Sequence, residues 1–212
     1  MTIIFATGNS CKLREASEIL GGGFELVTPA SKGITEDIPE TGTTLRANSL
    51  QKAQYIFDHT SGADCFADDT GLEVDILGGA PGVYSARYAG PDKSFSANID
   101  KLLDEMARKE YEASVAREYD IATPKATRRA RFKTVITLIL NGQKLFFEGA
   151  MEGRISYERV GNGGFGYDPV FIADDYPDVT VAELTDDQKN AISHRGKALR
   201  SMAQWLQEYS TK

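Results

Sequence analysis

The sequence predicts an α/β fold built on a mixed sheet, and two observations carry that prediction. In the first half, short apolar runs alternate with helical patterns, the order that lays parallel strands beneath helices. Later, two strand-like runs, Phe132 to Leu140 and Lys144 to Ala150, flank Asn141-Gly142. Asn-Gly favours a type I′ two-residue turn, so this pair adds an antiparallel hairpin. The end of the first run is apolar on both faces, as a central strand requires.

The elements follow in order. Ile3-Ile4-Phe5-Ala6 is a short strand, and a helix runs from Cys11 to Leu20 until Gly21-Gly22-Gly23 stops it. Phe24 to Thr28 is a strand. Thr43 or Thr44 caps a second helix reaching His59, with Leu45, Leu50, Ala53 and Phe57 on its apolar stripe. Asn48 and Lys52 share another face of that helix. Cys65-Phe66-Ala67 is a buried-type strand ending at Asp68-Asp69, Leu72 to Ile76 is a further strand, and Gly78-Gly79-Ala80-Pro81-Gly82 is a turn cluster. Ile99 to Met106 is helical. Residues 107–129 are charge-rich and weakly periodic, which predicts a surface excursion. Val170-Phe171-Ile172 is a short strand, and Thr185 with Gln188 forms a capping box. The last helix, Ser193 to Tyr209, buries Leu199, Met202, Trp205 and Leu206.

Composition limits the function classes. The 212 residues, 41% apolar and 26% charged, suit a globular chain, and we read 1–212 as a single domain. No apolar run approaches the roughly 20 residues needed to cross a bilayer, and the N-terminus lacks a signal-peptide pattern. The expectation is a cytoplasmic protein with no membrane partner. Cys11 and Cys65 offer neither a disulfide framework nor metal spacing. A net charge of −7 argues against nucleic acid as a partner but leaves room for one nucleotide in a local positive pocket.

Five segments can carry chemistry. Thr7-Gly8-Asn9-Ser10-Cys11-Lys12 joins a strand to a helix N-terminus, where unpaired N–H groups and the helix dipole favour a phosphate and Lys12 adds full charge. The same pattern also serves purely structural turns, and GxxxxGK[ST] is absent. Asp68-Asp69-Thr70-Gly71 reads equally as a site and as an Asp-rich turn; adjacent residues on extended chain point to opposite sides, so one carboxylate faces a cleft and the other is structural. Glu40, in the acidic loop with Glu36 and Asp37, can join Asp69 in holding Mg²⁺, which takes one or two carboxylates plus waters and phosphates. Gly161 to Pro169 places four glycines in six residues around Phe165, more than a turn needs, leaving an accessible ring for base stacking with Asp168 as an acceptor. Ser193-His194-Arg195-Gly196-Lys197 puts cations at a helix N-terminus, against the dipole, with Lys189 just upstream. The alternative there is a solvated basic turn.

Taken together, these segments resemble the inosine triphosphate pyrophosphatase family, pyrophosphatases of non-standard purine nucleoside triphosphates. The matching stretches are Thr7-Gly8-Asn9 with Lys12, Asp68-Asp69-Thr70-Gly71, Gly78 to Gly82 with Tyr84-Ser85-Ala86-Arg87-Tyr88, Gly163 to Pro169, and Ser193-His194-Arg195-Gly196, in family order over nearly the whole chain. The resemblance implies an elongated mixed sheet flanked by helices, two lobes with a central cleft, a homodimer, and Mg²⁺-dependent cleavage of ITP, dITP or XTP to monophosphate and pyrophosphate. It implies that Thr7, Gly8, Asn9, Ser10, Cys11, Lys12 and Lys52 hold the triphosphate, with Asn48 near Lys52. Asp69 becomes proton acceptor and metal ligand with Glu40, and Thr70 touches substrate. Phe165, Gly166, Tyr167, Asp168, Lys189, His194 and Arg195 hold base and sugar. The chain departs from the family at Thr70, where bacterial members often have Ser, and at Ala47, where many have Glu. Its charged excursion is also longer than usual. The rival readings are a pyrophosphatase of Maf-like base preference and a nucleotide sensor without turnover.

Overall fold

Side chains alternate across a strand, and in the first strand this alternation divides the core in two. The structure is a computed structural model, and it describes residues 1–36, 38–118 and 128–210. In β1 (Thr2–Phe5), Ile3 and Phe5 enter one apolar cluster, and Ile4 enters a second with Ala6 just beyond. The first cluster is completed by α1 (Ser10–Leu20) and α5 (His194–Ser210), the second by α2 (Leu45–His59).

The sheet runs in the order β2-β1-β3-β5-β6-β7, from β2 (Glu25–Val27), β3 (Cys65–Val74), β5 (Arg129–Leu140), β6 (Gln143–Ile155) and β7 (Phe171–Ala173). β1 pairs in parallel with β2 and β3, while β7 and the short β4 (Pro81–Gly82) pair antiparallel with β6 and β3. The mixed α/β fold is therefore as expected. Asn141 and Gly142, at φ 49° and 77°, make the two-residue turn between β5 and β6.

The chain groups into two compact units. The first comprises Met1–Thr70, Thr134–Ala150 and Asn190–Lys212, and holds both clusters just described. The second comprises Gly71–Lys133 and Met151–Lys189. It contains α3 (Phe95–Glu118), β7 and the start of α4 (Asp186–Ile192), with Phe132 and Phe171 in ring contact at 4.7 Å. Here Asn98, 2% exposed, accepts from Ala89 N–H at 2.7 Å and donates to the Ala86 carbonyl at 3.0 Å, fixing the turn after β4.

Several expectations need correction. Asp68-Asp69 does not end a strand: β3 runs unbroken to Val74, and Leu72 to Val74 continue it rather than starting another. The Thr70 and Gly71 turn residues are overridden by ladder pairing, which satisfies the backbone on a sheet strand. Residues 107–118 continue α3 rather than leaving it as an irregular excursion, although 107–115 are exposed or half-buried; 119–127 lie outside the described residues, and Arg129 opens β5. That helix is held on its polar side by pairs one turn apart, Arg108 and Lys109 to Glu112, which a search for apolar periodicity misses. In α2 the buried stripe is Leu45, Asn48, Ser49, Lys52, Ala53 and Ile56, so Leu50 and Phe57 sit at its margins and three polar residues, Asn48, Ser49 and Lys52, face inward. Lastly, β6 extends to Ile155, because Gly153 lets Ile172 approach where a Cβ would lie 2.2 Å from its carbonyl oxygen.

Candidate active site

The loop after β1 is built by its own side chains. Asn9 Oδ1 accepts from the N–H groups of Cys11 (2.9 Å) and Lys12 (3.2 Å), and Thr7 Oγ1 accepts from Asn9 N–H at 3.1 Å. Asn9 is therefore the N-cap of α1, satisfying donors that the expected phosphate loop would offer to a ligand. Cys11 is exposed, and Lys12 reaches back across the sheet to Asp68.

Strand alternation then separates the two aspartates. Asp68 shares its face of β3 with Phe66 and Thr70, looking toward α1 and α5. Its Oδ1 accepts from Lys12 Nζ at 2.9 Å and its Oδ2 from Arg195 Nε at 3.0 Å. Arg195 also donates to Glu15 through Nη1 and to Thr70 Oγ1 through Nη2 at 3.4 Å, and Ser193, the N-cap of α5, donates to Glu15 at 3.2 Å. Asp68 and Arg195 are each 2% exposed. Burial alone would raise the Asp68 pKa, but the Lys12 and Arg195 charges outweigh it and hold this carboxyl well below the usual carboxylate range.

Asp69 faces the other way, toward α2. Its Oδ2 accepts from Asn48 Nδ2 and its Oδ1 from Lys52 Nζ, each at 3.1 Å, and Lys52 Nζ lies 2.5 Å from Glu40 Oε1. Asn48 Oδ1 is held in turn by Gly42 N–H at 2.7 Å, at a position where any Cβ would meet that oxygen. Burial raises the Asp69 pKa, the Glu40 charge adds to the rise, and Lys52 only partly offsets them. Two oxygen donors on one cation position suit Mg²⁺, whose remaining ligands are commonly water and phosphate. Among the described residues no group of three or more His, Cys, Asp or Glu converges, so Glu40 and Asp69 by themselves could supply only part of a metal's ligands.

In the second unit, Asp168 Oδ2 accepts from Phe165 N–H at 2.7 Å and from Lys189 Nζ at 2.6 Å, and Lys189 Nζ sits 4.6 Å from the Phe165 ring centroid. Gly164, at φ 70°, is obligatory because a Cβ there would meet Asp168 Oδ2 at 2.1 Å. Beside the Phe165 ring is a cavity of about 430 Å³, which Phe95 and Arg159 also line. Tyr167 is 4% exposed and donates to the Ser85 carbonyl at 2.9 Å, so its side chain packs in the core.

The structure thus brings Lys12, Asp68, Thr70 and Arg195 together, and separately Glu40, Lys52 and Asp69. Phe165, Asp168 and Lys189 form a third group. His194 and Arg195 are 7% and 2% exposed, which removes the solvated basic turn. Sequence reading missed Glu15 and Thr134. Glu15 lies three residues after Lys12, on the same helical face. Thr134 Oγ1 is 2.7 Å from Thr70 Oγ1, a pairing with no local signature.

A sequence model of the Ham1 family matches residues 3–205. The chain belongs to the Ham1 family. It is 44% identical to a dITP/XTP pyrophosphatase of Christiangramia forsetii, covering 97% of this chain and 99% of that one. A protein of the same description from Porphyromonas gingivalis is 45% identical over 96% of each chain. Among solved structures, a HAM1 protein from Coxiella burnetii superimposes with a TM-score of 0.84 at 35% identity, covering 98% of this chain and 99% of that chain.

Proposed function

We propose that this protein hydrolyses deaminated purine nucleoside triphosphates (dITP, ITP and XTP) to the monophosphate and pyrophosphate, with Mg²⁺ as cofactor. The observation that carries this reading is the convergence of the Asp69 and Glu40 carboxylates on one cation position, which the Lys52 ammonium fills. Family membership and the pyrophosphatase relatives support it over nearly the whole chain. Clearance of such nucleotides from the cytoplasmic pool, by a homodimer, completes the proposal.

Glu40 and Asp69 would hold the metal, which when bound neutralises phosphate charge and makes a nearby water more acidic. Lys12 and Lys52 add positive charge where the phosphates carry negative charge, and the loop orients them through the backbone of Gly8 and Ser10, because the N–H groups of Thr7, Asn9, Cys11 and Lys12 are bonded within the chain. Asp69 takes the proton of the attacking water; a carboxylate whose pKa is raised by burial is a better base than an exposed one. Asp68, kept charged, holds Lys12 in place. Phe165 offers a ring face for the base, with Gly166, Tyr167, Asp168 and Lys189 shaping that loop. His194 or Arg195 donates to the 6-keto oxygen, and of the two Arg195 is already bonded to Asp68, Glu15 and Thr70. Adenine presents a donor there, and two donors facing each other unpaired discriminate by orders of magnitude.

The test is pyrophosphate release from ITP, dITP, XTP, GTP and ATP, each with Mg²⁺ and with EDTA. Metal-dependent turnover of the deaminated purines far above ATP and GTP supports the reading. Equal turnover of ATP, or none of any triphosphate, overturns it.

A further inference from the structure

We infer that Lys52 is a resident counter-ion, occupying the cation position of the Glu40–Asp69 pair in the free protein and giving it up only when a divalent metal arrives together with a triphosphate. The inference rests on the metal role proposed above for Glu40 and Asp69 and adds how that position is filled and emptied.

Three features carry it. First, one ammonium serves both carboxylates: Lys52 Nζ is 2.5 Å from Glu40 Oε1 and 3.1 Å from Asp69 Oδ1. A divalent ion bridging the same oxygens and an ammonium beside it would repel strongly at such distances, so the two exclude each other. Second, Asp69 is oriented independently of Lys52. Asn48 holds its other oxygen, Oδ2, at 3.1 Å, and Gly42 N–H holds Asn48. When Lys52 leaves, the carboxylate keeps its aim, so the exchange moves one flexible side chain and leaves the backbone in place. Third, the charge count favours arrival with substrate. Two carboxylates and one ammonium leave a single negative charge. A divalent ion entering without displacing Lys52 would reverse that sign in a pocket where Lys52 and Asp69 are each 7% exposed. A triphosphate supplies both the missing metal ligands and a new acceptor for the displaced ammonium.

The chain therefore binds the metal–triphosphate complex as a unit and holds the bare metal weakly. The experiment titrates Mn²⁺ into the wild-type protein, Lys52→Met and Lys52→Arg, following free Mn²⁺ by EPR, with and without the α,β-methylene analogue of ITP, which resists cleavage. For the wild type, Mn²⁺ should bind about tenfold or more weakly without the analogue than with it. Lys52→Met should bind Mn²⁺ alone about tenfold more tightly than the wild type, and Lys52→Arg, which keeps the charge, should not. Equal binding of Mn²⁺ by wild type with and without the analogue overturns the exchange and leaves the metal site standing. Absence of Mn²⁺ binding in every condition overturns both. Should Lys52→Met fail to fold, the wild type alone decides through the NMR signal of the Lys52 ammonium. That signal should move on adding Mg²⁺ with the analogue and stay on adding Mg²⁺ alone; movement with Mg²⁺ alone overturns the proposal.

Discussion

Asp68 and Asp69 are neighbours on one strand, yet their surroundings differ in nearly every respect. Asp68 looks toward α1 and α5, is clamped between Lys12 and Arg195, and is held charged by them. Asp69 looks toward α2, shares its one lysine with a second carboxylate, and has its pKa raised by burial. The difference begins with strand geometry: a period of two sends identical side chains into opposite layers, where different helices supply their partners. One becomes a fixed anion that organises cations; the other is the carboxylate to which we assign cation exchange and proton transfer.

The sharpest way to break this comparison is to neutralise each aspartate in turn. Asp69→Asn should lower kcat by about 10²- to 10⁴-fold, the usual worth of a general base, and leave the melting temperature nearly unchanged because Lys52 keeps Glu40 as a partner. Asp68→Asn should do the reverse in kind, costing about 3–5 kcal/mol of stability because it breaks the buried pair with Arg195, which keeps Glu15, and removes the anion of half-buried Lys12. Thermal denaturation beside a pyrophosphate assay separates the two; equal loss of stability in both variants would erase the distinction. A smaller effect is expected in the second unit. Lys189→Met removes both the Asp168 ion pair and the cation over Phe165, and should raise KM several-fold with kcat changed less.

The smallest effect sharpens the comparison on Asp69's own face of β3, which Cys65 shares. Burial pushes the Cys65 thiol up to about 12. An unfolded thiol loses its proton near pH 8.5, so between about pH 8.5 and 12 the folded state binds more protons and stability falls as pH rises. Denaturant titrations at pH 8 and 10 should show that loss, and Cys65→Ala should reduce it. In the native state a thiol reagent should titrate the exposed Cys11 and spare Cys65.

Local rules that depend only on neighbouring residues were legible in the sequence. The Asn-Gly turn, the Thr185–Gln188 capping box, the Ser193 and Thr44 caps and the opposition of Asp68 to Asp69 all follow from short-range backbone geometry. The helix after Gly90 was underestimated because its polar side is held by ion pairs, and β3 was cut short because Asp-Asp-Thr-Gly has turn chemistry that sheet pairing overrides. The sequence by itself thus determined the mixed α/β class, most elements and the residues that carry charge. Only the tertiary structure decided which cation meets which carboxylate. Asp68 finds Lys12 at 56 positions' distance and Arg195 at 127, while Lys52 joins Glu40 to Asp69 across 12 and 17. No local pattern encodes such pairings, because they arise from which helix packs on which face of the sheet.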